Sequence, residues 1–173
     1  MSIWAVLATG QSLTREQVEL CLAHELKLVA VSDAWRIAPE ADILVSSDAA
    51  WWRHYPDAKT AGGIEYCAAA EWDTCRAKRM GARFGINSGL LGIMAAVRHG
   101  AEDIILLGFD MHGSHFFGEH PDPLHTSTAV QFDSFRREFA EYSPDGVGII
   151  NCTPHTRLTA YPRHNLEQVL CLV

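Results

Sequence analysis

Histidines and carboxylates concentrate in one stretch of the chain, GFDMHGSHFFGEHPDPLHT, at residues 108–126. It contains His112, His115, His120 and His125, together with Asp110, Glu119 and Asp122. An imidazole takes up or releases a proton near neutral pH, so this composition indicates general acid or base chemistry. The spacing matches no strong metal pattern such as H-E-x-x-H, and we predict no metal site. We expect one or two of these histidines to face a ligand and the others to be solvated.

Two glycine turns have the residue types of anion-binding turns. The sequence ATGQSLT follows an apolar run, and GINSGLLG precedes an apolar helical segment. Backbone N–H groups and hydroxyls at the start of a helix bind phosphate. The candidate ligand-binding residues are Thr9, Gly10, Gln11, Ser12, Asn87, Ser88 and Gly89. Plain helix-capping turns are the alternative for both. Neither turn is G-x-G-x-x-G or a Walker A loop, which argues against a nicotinamide or flavin cofactor.

Further polar residues follow other predicted strands. Asp33 comes after the apolar run 27–32, Asp110 after 103–107, and Thr153 after the run VGIINC. Arg157 lies just beyond, and a guanidinium can clamp a phosphate or carboxylate, although a surface arginine is equally compatible with the sequence.

The elements that must position these residues alternate between apolar runs and helical patterns. This alternation predicts an α/β fold: a Rossmann-like, doubly wound, mostly parallel sheet with helices on both faces, as a single domain over residues 1–173. Ligands of such folds bind beyond the carboxyl ends of the strands, where the candidate residues cluster. Thr14 should begin the first helix through a capping box, and Thr126 or Ser127 the long helix that ends near Tyr142. Residues 56–85 are predicted to be an irregular excursion or a small lid.

Bulk composition excludes several classes of protein. The net charge of the 173 residues is −7, which argues against binding to a nucleic-acid polymer. No apolar run is long enough for a membrane span, and no signal-peptide pattern is present, so we expect a cytoplasmic protein without membrane contact. The five cysteines are scattered, which predicts reduced thiols.

The order of these motifs carries a resemblance to a known family. Ala8-Thr9-Gly10-Gln11-Ser12-Leu13 corresponds to a Gly-x-Gly-Pro-Ser-Leu turn, Asn87-Ser88-Gly89 to Thr-Ser-Gly, and Gly108-Phe109-Asp110 to Gly-Ile-Asp. His125 precedes a long helix, and NCTPHTRL stands where that family has Cys-Pro-x-Ser. The chain resembles the Rossmann-like bacterial sialyltransferases that use CMP-sialic acid, and the related motility-accessory-factor and archaeal-type hydroxymethylpterin pyrophosphokinase superfamily. It is also similar to short proteins encoded in tailed-phage genomes.

The resemblance implies a glycosyltransferase-like protein that binds a nucleotide or nucleotide-sugar and transfers or hydrolyses at its phosphate bond. In that family the two glycine turns hold the phosphate, and a polar residue at the position of Asp33 helps to hold the nucleotide. A histidine at the position of His125 is the general base. His112 stands where the family has a tyrosine that assists the leaving phosphate. The chain is much shorter than the transferases, and the cytoplasm of a host cell would be its location if it is phage-encoded.

Three alternatives stay open from the sequence. One is a non-catalytic nucleotide-binding protein that sequesters a signalling nucleotide. Another is Mg²⁺-dependent pyrophosphoryl transfer, with Asp110 and neighbouring carboxylates as the metal ligands. The last is a phage assembly factor. No cofactor other than this possible Mg²⁺ is expected, and the tryptophans and open sheet edges make a homodimer plausible.

Overall fold

The apolar run at the start of the chain forms the strand from which the sheet is built. The computed structural model describes residues 2–68, 72–81 and 87–172. The strands are β1 (Ile3–Leu7), β2 (Lys27–Val31), β3 (Ile43–Val45), β4 (Ile64–Cys67), β5 (Lys78–Arg79), β6 (Asp103–Leu107) and β7 (Gly148–Asn151). They form one sheet in the order β5-β4-β3-β2-β1-β6-β7, and each neighbouring pair is parallel.

Helices cover both faces of this sheet. They are α1 (Arg15–Ala23), α2 (Ala49–His54), α3 (Ser88–Arg98), α4 (Ala129–Glu141) and α5 (Leu166–Leu170). Alternate residues of β1 point to opposite faces, so that Leu7 packs with α1, α2 and α5 while Val6 packs with α3 and α4. The α/β, Rossmann-like, doubly wound architecture that the sequence predicts is confirmed.

The chain reverses its direction of winding at β1, and this positions the site. Strands β2 to β5 extend from one side of β1, whereas β6 and β7 lie on the other. In an open α/β sheet the ligand crevice lies at such a switch point, beyond the carboxyl ends of the strands. The segments that follow β1 and β6 stay paired past the strand ends. Ala8 N donates to Leu107 O at 2.8 Å, and Gly10 N donates to Gly108 O at 2.9 Å.

Helix starts follow local capping chemistry. Thr14 caps α1 in a capping box with Gln17, which confirms that prediction. The long helix α4 begins at Ala129, one or two residues later than predicted from Thr126 or Ser127. Thr128 accepts the N–H of Gln131, whose side chain bonds back to the main chain of Thr128. This second box fixes the first turn, because Thr128 has the Gln three residues on that completes a box.

Residues 56–85 contain regular structure at the sheet edge. The described part forms β4 and β5, joined by a short 3₁₀ turn at Trp72–Thr74. Residues 69–71 and 82–86 of this predicted excursion lie outside the described residues. Two short parallel strands here extend the sheet away from β1, and turns connect them in the described part of the segment.

Two further predictions concern thiols and membranes. All five cysteines are free, and Cys21, Cys67 and Cys152 are buried. Within residues 2–68, 72–81 and 87–172, none of the helices combines the length and hydropathy that a bilayer crossing needs.

Candidate functional site

A cavity of about 540 Å³, here called the main cavity, lies at the carboxyl ends of β1, β2, β3 and β6. Its volume is in the range typical of small-molecule sites. The turns after β1 and β3, the first turn of α3 and the loop 111–127 form its walls. Thus the covering element is the histidine-rich loop, and no described residue of 56–81 lines the cavity.

The main cavity brings together eight of the thirteen residues that the sequence singles out. They are Thr9, Gly10, Asn87, Ser88, Gly89, Asp110, His112 and His125. The other five are not part of its lining: Gln11, Ser12, Asp33, Thr153 and Arg157. Most of the second group have structural partners, described below, that explain their position.

Ser12 is bonded to a carboxylate of the protein itself. Its main-chain N–H donates to Asp110 Oδ2 at 3.0 Å, and its hydroxyl donates to Asp110 Oδ1. Asp110 is 5% exposed. The two donors of Ser12, which the sequence assigns to a ligand phosphate, are therefore occupied by Asp110, and Ser12 joins the ends of β1 and β6.

Gly10 is required by the same contact. A Cβ atom on Gly10 would lie 2.6 Å from Asp110 Cγ, and it would also overlap the main-chain oxygen of Gly108. No side chain fits between the two turns. The glycine therefore allows the close approach of β1 and β6 that the first turn needs, whatever lies in the cavity.

The second glycine turn is also satisfied from within the protein. Asn87 Oδ1 accepts the N–H groups of Gly89 and Leu90 at 2.9 and 3.2 Å, as a helix cap does. Ser88 Oγ lies 2.8 Å from Ser47 Oγ and accepts the Ser47 N–H at 3.0 Å. The Nδ2 group of Asn87 is buried and has no partner among the described residues. Of the side-chain groups at this turn, this amide is the donor left for a ligand.

Asp33 stabilises the fold beneath the cavity. It is fully buried, its Oδ2 accepts the indole N–H of Trp51 at 2.7 Å, and its Oδ1 lies 2.6 Å from Arg36 Nη2. A buried carboxylate with these partners is compensated inside the protein. Asp33 is therefore not part of the lining of the main cavity.

Thr153 and Arg157 anchor the end of β6. Thr153 Oγ1 accepts the N–H of Phe109 at 3.0 Å, and the main-chain N–H of Arg157 donates to Asp110 O at 2.9 Å. The exposed side chain of Arg157 lines a smaller cavity of about 210 Å³, here called the annex. Hence Thr153 is a structural residue, whereas Arg157 reaches a second site.

The two predicted catalytic histidines differ in how they are held. His112 Nε2 donates to the main-chain oxygen of His155 at 3.0 Å, because a carbonyl can only accept. That bond fixes the ring and leaves Nδ1 for other partners. His125 is exposed at the rim of the main cavity, and its ring makes no hydrogen bond to a described residue that the structure shows.

His115 and His120 form an imidazole pair that the sequence does not single out from its loop. Their ring centroids are 4.7 Å apart, and His115 Nδ1 lies 2.8 Å from Thr9 Oγ1. His115 Nε2 is buried without a partner among the described residues. Burial, with a smaller effect of His120, lowers the pKa of His115 to about 4, and burial also lowers that of His120. Both rings are therefore neutral near pH 7.

The only sequence signal for this pair is aromatic. Phe117 stacks on His115 with centroids 4.9 Å apart and planes inclined by 4°, and it also lies beside His120. Two adjacent phenylalanines in a polar loop indicate that the loop packs against the rest of the protein. That observation favours burial of the neighbouring histidines over solvation.

The described residues contain no preformed cluster of metal ligands. Both oxygens of Asp110, the ligand proposed from the sequence, are engaged by Ser12. No group of three or more His, Cys, Asp or Glu side chains in the described parts of the chain is arranged to hold a metal ion.

The polar lining of the main cavity combines imidazoles with carboxylates. His112, His115, His120 and His125 face it, together with Asp48 and Asp110. Aromatic surface comes from Trp51, Phe132 and Phe135. Comparison with protein-family models, with curated proteins and with solved structures returned no match to the chain.

Proposed function

We propose that the chain binds a nucleotide or nucleotide-sugar in the main cavity and transfers or hydrolyses at its phosphate bond. One observation carries the proposal: a cavity of about 540 Å³ at the β1–β6 switch point is lined by four histidines and the first turn of α3. Open α/β sheets bind nucleotides at this position. The motif order that resembles the Rossmann-like sialyltransferases supports the same ligand class.

The walls supply the kinds of contact that a nucleotide needs. Phe132 and Phe135, which are half-buried, offer flat apolar surface to a base or sugar. The buried Nδ2 of Asn87 offers one donor to a ring carbonyl or hydroxyl oxygen. Serine hydroxyls follow β2 and β3 at Ser32 and Ser46. A few placed polar groups within apolar walls are typical of sites that orient a small molecule.

The proposed chemistry divides between two histidines. His125, at the open rim, takes a proton from water or from an acceptor hydroxyl, and the oxygen then bonds to the anomeric carbon of the sugar. The bond from that carbon to the phosphate oxygen breaks, and the nucleoside phosphate leaves with the electron pair. His112, in its protonated form, donates a hydrogen bond to that phosphate. An uncovered rim suits entry of the acceptor.

Product analysis tests this reaction. The protein is incubated with a panel of nucleotide-sugars that includes CMP-sialic acid, and the released nucleotide is quantified by chromatography. We expect His125→Gln to lose about 10²-fold or more of the rate, as removal of a general base does. His164→Gln, an exposed histidine outside the cavity, is the matched control. Full activity of His125→Gln would remove its assigned role.

A non-catalytic nucleotide-binding protein is the second candidate. The exposed ring of His125 favours this candidate, because the structure shows no hydrogen bond from that ring to a described residue. An oriented base normally has a second hydrogen bond that fixes its ring. Nucleotide binding without release of any product from the whole panel would select this candidate.

A further inference from the structure

The annex adjoins the main cavity and shares a wall with it. Both cavities are lined by Met111, His112, Ser127 and Phe132. The annex has a volume of about 210 Å³. Space for a small group therefore lies next to space for a nucleotide, and His112 lines both cavities.

The charges of the annex are unlike those of the main cavity. Arg136 and Arg157 line it, whereas among the described residues no lysine or arginine lines the main cavity. Arg136 is bonded to Asp133 and donates to Met111 O at 3.4 Å. The guanidinium of Arg157 makes no hydrogen bond or ion pair with a described residue that the structure shows. Arg157 is thus the cation whose charge is left for a ligand.

The glycine turns, by contrast, have little left to give an anion. Ser12 is engaged by Asp110, and the N–H groups of Gly89 and Leu90 by Asn87. A ligand phosphate at the first turn would also lie against the carboxylate of Asp110, which would repel it. The anionic part of a ligand is more favourably placed beside the arginines.

We propose that the annex binds the anionic group of the ligand, a phosphate or a carboxylate, through Arg157 with Arg136 beside it, while the rest of the ligand occupies the main cavity. The inference rests on the proposed function for the ligand class, and it moves the anion site from the glycine turns to the annex. A guanidinium forms paired hydrogen bonds to the two oxygens of such a group.

The main chain of Arg157 is held independently of its side chain. Its N–H donates to Asp110 O at 2.9 Å, and neighbouring Thr156 Oγ1 donates to Phe109 O at 2.5 Å. Replacement of the exposed side chain leaves both bonds in place. The variants Arg157→Gln and Arg157→Lys are therefore expected to fold, which thermal unfolding verifies before any binding measurement.

Titration calorimetry with inorganic phosphate, inorganic pyrophosphate, sialic acid, CMP and cytidine tests the annex. We expect Arg157→Gln to bind CMP about 10-fold to 100-fold more weakly, the loss typical of a hydrogen bond to a charged group, and to bind cytidine as the native protein does. Arg157→Lys should recover only part of the affinity, because the paired geometry is lost. The matched control is Arg137→Gln, an exposed arginine of α4 that lines neither cavity. Phosphate and sialic acid separate a phosphate site from a carboxylate site.

The outcomes separate this inference from the proposed function. Unchanged CMP and phosphate binding by Arg157→Gln would overturn the annex and leave nucleotide binding intact. If pyrophosphate binds in a way that depends on Arg157, and neither CMP nor cytidine binds, the anion site in the annex is supported. The same result contradicts nucleotide binding in the main cavity.

Discussion

The carboxylate of Asp110 lies against Ser12, and its two oxygens accept the main-chain N–H and the hydroxyl of that residue. This contact joins the turn after β1 to the turn after β6, across a separation of 98 residues. An internal carboxylate therefore occupies the two Ser12 donors that a phosphate would use in a glycine turn. The first turn holds the two strand ends together, and a ligand of the proposed kind would contact the cavity walls around it.

Removal of the Ser12 hydroxyl should cost stability and spare binding. Ser12→Ala leaves one oxygen of the largely buried Asp110 without its donor, and we expect a loss of about 1 to 3 kcal/mol in the free energy of unfolding. Nucleotide affinity should stay near the native value. Urea unfolding and calorimetry measure the two effects, with the exposed Ser143→Ala as control. If Ser12→Ala keeps the native stability but loses nucleotide affinity, Ser12 is a ligand-binding residue and this account is contradicted.

A side chain at Gly10 should separate the two turns. In Gly10→Ala the new Cβ would lie 2.6 Å from Asp110 Cγ, so one of the turns must move. We expect a loss of about 3 kcal/mol, at the upper end of overpacking costs. Gly81→Ala is the matched control, because its Cβ would meet no atom of a described residue within 4 Å. Equal stability of the two variants, measured by urea unfolding, would contradict this account.

The buried imidazole of His115 predicts a loss of stability in mild acid. Its pKa is lowered to about 4 in the native state, against about 6.5 in the unfolded chain. Between these values the unfolded chain binds a proton that the native state lacks, so stability is complete above about pH 6.5 and falls as the pH falls. From about pH 7 to about pH 5 the contribution of this group is about 2 kcal/mol. His120, whose pKa is also lowered, acts in the same direction.

The variant His115→Gln isolates that contribution. The difference between the free energies of unfolding at about pH 7 and about pH 5 should shrink by about 2 kcal/mol, whatever the substitution costs at either pH. His164→Gln, an exposed histidine, should keep the native pH dependence. If His115→Gln also keeps it, the ring is not neutral in the native state.

The sequence predicts the elements well where burial is continuous. The apolar runs of β1, β2 and β6 are buried on both faces, which produces the unbroken pattern of a parallel sheet. Strand β5 has no such signal, because its residues Lys78 and Arg79 are both exposed. It is paired through its main chain alone, beside Tyr66 and Cys67 of β4. A two-residue edge strand of charged side chains looks like a loop in the sequence.

The site is harder to predict than the fold because its partners are distant in sequence. The residue types after each strand place the main cavity correctly at the carboxyl edge of the sheet. Nothing local indicates that Asp110 satisfies Ser12, or that the indole of Trp51 donates to Asp33. Burial of His115 likewise depends on how the loop folds back onto Thr9. Such pairings depend on the tertiary structure. A short sequence motif does not show them, so each of its polar groups looks available to a ligand.

Nucleotide binding in the main cavity is tested most directly by thermal unfolding with a panel of nucleotides and nucleotide-sugars. At about 100 times its Kd, a ligand of the native state should raise Tm by about 5 to 10 °C. Ser127→Trp, which fills the wall shared by the two cavities, should abolish the shift, whereas Ser134→Trp on the exposed side of α4 should keep it. No shift with any nucleotide, or an equal shift in both variants, would contradict the proposed function.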